Sequence, residues 1–159
     1  MKVRTGFVSN SSSSSFLTIG HGTLIIPDIN LYTLTIPDDT GGEFEFGWGP
    51  GVHYDFGSKL NFAYLQSLYK NKNQEPLLDK ALEAVEGHSN EWLLMIEEVL
   101  KKHLKVSEII WNLDLDTGYI DHQSCACEGR NTEIFESIEV LEDFLFREDS
   151  FITEDNDNH

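Results

Sequence analysis

The periodicity of the apolar residues changes character at Asp55, and that change limits the chain to a small set of architectures. Before it, Thr23 to Ile26 and Leu31 to Ile36 are short β-branched and apolar runs. Each is closed by a Pro-Asp pair, at 27/28 and 37/38, that reads as a turn, so the two runs are expected to be neighbouring strands. Asp38 to Gly42 reads as a loop. Glu43 to Trp48 then alternates, with Phe44, Phe46 and Trp48 on one face and Glu43 and Glu45 on the other, the pattern of a half-buried strand. Three glycines and Pro50 make 47 to 51 a loop.

From Asp55 the spacing is helical. Leu60, Tyr64 and Leu68 recur beside Phe62, Leu65 and Tyr69, with Asp55 or Ser58 as N-cap, which predicts a helix to about Asn71. A second helix begins at Pro76, carries Leu77, Leu78, Ala81, Leu82 and Val85, and stops at Gly87. A third begins after Ser89 or Asn90 and buries Leu93, Ile96, Leu100 and Leu104. Lys101, Lys102, His103 and Lys105 complement the negative end of its dipole. Beyond it, Val106 to Leu113 reads as a buried strand, Gly118 to His122 as its hairpin partner, and Glu133 to Phe135 as a short strand. A helix capped by Ser137 carries Ile138, Leu141 and Leu145, and Ser150 to Thr153 forms a final strand.

Strands, then helices, then a mixed segment give an α+β fold: N-terminal strands, three central helices and a C-terminal strand-strand-helix-strand segment in one core. The length of 159 residues with 40% hydrophobic content fits a single domain, with residues 1–15 flexible and 154–159 a frayed tail.

Eleven basic residues against 28 acidic ones give a formal net charge of −17, which repels nucleic acid and anionic membrane alike. The excess is uneven: residues 107–159 hold 15 Asp and Glu against Arg130 and Arg147, a net of −13. An electrostatic partner is therefore expected to be basic and to meet the C-terminal third, where Glu136, Glu139, Glu142 and Asp143 flank the apolar stripe of one short helix. The two cysteines, Cys125 and Cys127, are separated by one residue, poor geometry for a mutual disulfide, so a reducing compartment is expected. MKVRTGFVSN has no apolar region after its basic start, and no apolar run is long enough to cross a bilayer. The expected location is the cytoplasm.

Ser9 to Ser15 reads on composition as a flexible polar linker, or alternatively as a hydroxyl-rich loop that binds an anion or is phosphorylated. The longer stretch RTGFVSNSSSSSF at 4–16 resembles an N-terminal signature of uncharacterised phage and bacterial proteins. YDFGSKLNFAYLQ at 54–66, YIDHQS at 119–124, and DFLF followed by TEDNDN near the end are similar to text in part of that group. The resemblance implies a phage or prophage context and a shared fold. It implies no activity, and no functional residue is carried over from it.

Asp121 to Glu128 brings an imidazole, two thiols and two carboxylates within eight residues, so His122, Cys125 and Cys127 are an alternative metal-ligand set. The set lacks a fourth ligand and a CxxC knuckle, and neither metal nor other cofactor is expected. His122 as general base, Asp121 or Asp116 as its orienting carboxylate and Ser124 as nucleophile would make a small metal-dependent or acid-base hydrolase. No catalytic motif supports that alternative, and the remaining histidines read as solvated. The favoured reading is a non-enzymatic binding protein that engages a basic host factor through its acidic C-terminal face. Trp48, Trp92 and Trp111 are read as core residues.

Overall fold

A computed structural model describes residues 2–3, 13–47, 50–70, 90–121, 123–126 and 129–156. Strands β1 (Lys2–Val3), β2 (Ser13–Ile19), β3 (Asn30–Ile36), β4 (Glu45–Phe46) and β5 (Gly51–His53) lead to helices α1 (Phe56–Tyr69) and α2 (Glu91–His103). Then follow β6 (Lys105–Trp111), β7 (Tyr119–Ile120), a 3-10 turn over Glu133–Phe135, α3 (Ile138–Phe146) and β8 (Phe151–Asn156). The fold is α+β, as the pattern of periods predicts.

The helices start where their caps dictate. The Asp55 carboxylate accepts from the Ser58 amide at 2.9 Å, the Asn90 side chain accepts from Trp92 and Leu93 at 3.1 and 3.2 Å, and the Ser137 hydroxyl accepts from Val140 at 3.1 Å. Helix α1 is apolar on almost every side and accordingly lies in the centre, with Gly57 to Ser67 and Tyr69 buried. Gly57 is required there because a Cβ would come within 2.6 Å of the Thr40 and Gly41 carbonyl oxygens. Around α1 one apolar cluster gathers Leu17, Ile19 and Ile152 from the largest sheet, Leu34 and Ile36 from β3, and Phe46. It also takes Ile96 and Leu100 from α2 and Phe144 to Phe146 from α3.

That sheet has the order β1-β2-β8-β5, with β8 between β2 and β5 and all pairings antiparallel. Strands β3 and β6 form a separate parallel pair, and β4 and β7 another.

Several expectations are corrected. Thr23–Ile26 is not a strand beside β3. Its Leu24 makes one bridge to Arg147 and its Ile25 amide donates to the Phe146 carbonyl, so the segment lies along the end of α3. The β3 ladder is taken by β6 instead. β6 is half exposed: Val106, Ile109 and Trp111 pack toward the core while Ile110 is 49% exposed. Residues 119–120 do not form a hairpin with β6. The Tyr119 and Asp121 amides donate to the Phe44 and Phe46 carbonyls, and Asp114 closes a turn by accepting from Asp116 and Thr117.

Glu133–Phe135 is a 3-10 turn, and Gly51 already belongs to a strand. Ser13 to Ser15 are strand, not linker, and Glu154 to Asn156 are strand, not frayed tail. The helix expected over 76–87, Trp48, and residues 4–12 lie outside the described residues. Trp92 and Trp111 are partly buried against the core.

Candidate functional site

The polar residues of α1 sit between apolar neighbours and are buried with them, so each needs a partner. Asn61 donates to the Gly41 and Glu43 carbonyls at 3.0 Å, and the Ser58 hydroxyl accepts from the Glu43 amide at 2.7 Å. Gln66, one turn from the end, reaches the 121–131 segment: Nε2 donates to the Ser124 carbonyl at 3.0 Å and Oε1 accepts from the Ala126 amide at 2.6 Å.

This holds Ser124 beside Asp121, and both are buried. The Ser124 hydroxyl donates to Asp121 Oδ2 at 2.9 Å and accepts from the Ser15 amide at 2.5 Å. The Ser15 hydroxyl donates to Asp121 Oδ1 at 3.2 Å. Asn131, in the left-handed region at φ 54°, donates to the Ser15 and Ser124 carbonyls at 3.0 and 3.1 Å. The last serine of the serine run is thus joined to a carboxylate 106 positions away.

Gly47 completes the wall. Its φ of 109° belongs to glycine, and a Cβ there would stand 2.5 Å from Asp121 Oδ1. The Gly47 amide donates to Glu154 Oε1 at 3.1 Å, and Glu154 Oε2 lies 3.3 Å from His53 Nε2. His53 and His103 are therefore not the solvated residues expected: each stands against a glutamate on another element, and His103 Nε2 is 2.5 Å from Glu142.

In this arrangement both serine hydroxyls point their protons at a carboxylate, and Ser15 and Ser124 are fully enclosed. The geometry fastens β2 to the 121–126 turn and to α1 without exposing a nucleophile. His122, the base in the hydrolase alternative, lies outside the described residues, as does Cys127. Cys125 is buried and disulfide-bonded, contrary to the free thiols expected, which removes it as a thiolate ligand. Among the described residues no group of three or more His, Cys, Asp or Glu is placed to hold a metal ion.

The acidic face divides in two. Glu136 and Glu139 are exposed. Glu142 is joined to Lys102 at 3.0 Å and to His103, and Asp143 to Arg147 at 2.9 Å. Burial would raise the Glu142 carboxyl, but the hydrogen bonds from His103 and Lys102 outweigh it and hold the group below its ordinary value. Asp38, Asp39, Asp114 and Asp116 are also exposed, and they follow the ends of the parallel pair β3 and β6, whose last residues Ile36 and Trp111 are in register.

Sequence reasoning reached Asp121 and Ser124 but missed Ser15, Gln66, Asn131, His53 and Glu154. The signal for Gln66 was present: a helix with apolar residues around its whole circumference is buried on all sides, and the amide lying among them then has to find partners. The chain matches no family model, no curated protein and no solved structure. No helix among the described residues is long and apolar enough to cross a membrane.

Proposed function

We propose that this chain is a non-enzymatic binding protein, phage- or prophage-encoded, that engages a basic host protein through its acidic surface. One observation carries the reading: Glu108, Asp114, Asp116, Glu136, Glu139 and Glu148 of the C-terminal third are all exposed, against Arg130 as the one exposed arginine of that third, while Arg147 is engaged by Asp143 and the Gly22 carbonyl. A basic partner finds a field there with little to oppose it. The enclosed Asp121 cluster supports the non-enzymatic half, since its hydroxyls are committed to holding segments together.

The partner-facing residues in this reading are Glu136 and Glu139. Glu136 precedes the Ser137 cap. Glu142 and Asp143 lie on the helix with Glu139, but they neutralise Lys102, His103 and Arg147, and reversing them would set cation against cation inside the fold. The test captures partners from a bacterial lysate with the full chain and with a Glu136→Lys, Glu139→Lys variant, at rising salt. Retention of a basic protein should fall with salt, because exposed charges are screened over about 8 Å at physiological ionic strength, and should fall again in the variant. Glu98→Lys on α2 is the control. A partner whose retention ignores both salt and the reversal would mean that the acidic surface serves solvation alone.

A further inference from the structure

Lys59 occupies a setting unlike that of any exposed lysine of the chain. It lies on the buried α1, is 2% exposed, and lines a cavity of about 290 Å³ whose apolar walls include Ile25, Pro27, Phe56, Leu145 and Phe146. The Phe56 and Phe146 rings stack there with centroids 5.5 Å apart and planes within 11°. Lys59 Nζ donates to the Arg147 and Ser150 carbonyls, both at 3.2 Å.

An ammonium carries three N–H donors and a neutral amine two. Losing one proton leaves both of these hydrogen bonds intact and exposes a lone pair. Burial lowers the Lys59 pKa to about 8, the carboxylates of Asp55 and Asp149 only partly offsetting the effect, so a large share of the amine is neutral where exposed lysines are charged. Arg147 and Glu148 also line the cavity.

We propose that Lys59 is a nucleophilic amine that forms an imine with an aldehyde whose aromatic or branched apolar body fills this cavity. The Nζ lone pair attacks the carbonyl carbon, and the carbonyl oxygen takes a proton to give a carbinolamine. Departure of that hydroxyl as water, with the second amine hydrogen, leaves the C=N bond, with no oxidant or reductant needed. Once protonated, the iminium keeps one N–H for one of the two carbonyls, and Asp55 and Asp149 favour its charge. The cavity supplies what the amine lacks, an apolar seat that selects the aldehyde by its body. This inference does not depend on the acidic surface.

The experiment uses the full chain, benzaldehyde as probe and cyanoborohydride to trap the imine as a secondary amine near pH 8, with peptide mapping of each lysine over time. Lys59 should be labelled at least about tenfold faster than Lys101, Lys102 and Lys105, since each unit of pKa changes the neutral fraction tenfold. Ile25→Trp, a change at a half-exposed cavity wall, should slow Lys59 labelling severalfold and leave the other lysines unchanged, with the circular dichroism of the native fold retained. Labelling of Lys59 no faster than that of the exposed lysines, or only after addition of urea, would overturn the proposal. So would an Ile25→Trp protein that labels Lys59 at the unaltered rate.

Discussion

Asp121 is a carboxylate enclosed by two serine hydroxyls and by Gly47, and its removal leaves donors in the interior with no acceptor. Asp121→Ala is expected to lower stability by about 2–4 kcal/mol, read from the urea midpoint at unchanged slope. Gly47→Ala forces a left-handed residue to carry a Cβ into the same carboxylate and should cost about 1–3 kcal/mol. The two changes should add only in part: without the carboxylate the contacts at 2.5 and 2.8 Å go, while the residue 121 Cβ at 2.7 Å and the left-handed backbone remain, so the double variant is expected to be more stable than the sum by about 0.5 kcal/mol. Strict additivity in that cycle would mean that the Asp121 carboxylate is not what a side chain at position 47 meets.

Lys59 makes a second residue-scale prediction, in pH. Its amine loses a proton near 8 when folded and near 10.5 when exposed, so between these values the unfolded chain binds more protons. Stability should therefore rise with pH across that window, and this contribution is lost as pH falls through 8. Tyr64, Tyr69 and Tyr119 act in the opposite sense above 10, because burial raises their hydroxyls and the unfolded chain ionises first. Urea midpoints at steps of pH should show a Lys59→Met variant that lacks the rise from 8 to 10 and keeps the loss above it.

At the scale of elements, helices α1, α2 and α3 were legible because caps and apolar spacing are local. Asp55, Asn90 and Ser137 each stand one residue before the helix they begin. Strand partners were not legible, since a run such as Leu31 to Ile36 carries no mark of which distant strand completes its ladder. Glu133 to Phe135 misled for a related reason: two apolar residues, Ile134 and Phe135, between polar neighbours fit a short strand or a single 3-10 turn equally well. In the candidate site, Asp121 and Ser124 drew notice as neighbours in sequence. Ser15 and Gln66 did not, because their roles exist only after β2 and α1 have met the 121–126 turn. The pairing of α3 with α2 through Glu142 is testable in acid. A carboxyl held below its ordinary value adds stability that is present above pH 4.5 and lost as pH falls. Glu142→Gln should flatten the acid limb of the stability curve and should change little in its shape above pH 6.

For the whole molecule the governing quantity is the net charge of −17. Like charges crowd one another more in the folded state than in the unfolded chain, so moderate sodium chloride should raise the thermal midpoint at pH 7. A midpoint that falls with added salt would show that ion pairs such as Lys102 with Glu142 outweigh the repulsion. The sheet has a different consequence, a mechanical one. β2 and β8 run antiparallel with Ser13 opposite Asn156, so the start of one strand and the end of the other share a rim of the sheet. Tension drawn on the chain from that rim, as by an unfoldase threading a neighbouring segment, loads the rungs of the ladder one after another instead of all together. The pair then opens like a zipper, and because β8 also carries β5, the sheet has a tear line along which a modest pull dismantles what heat and denaturant must overcome at once.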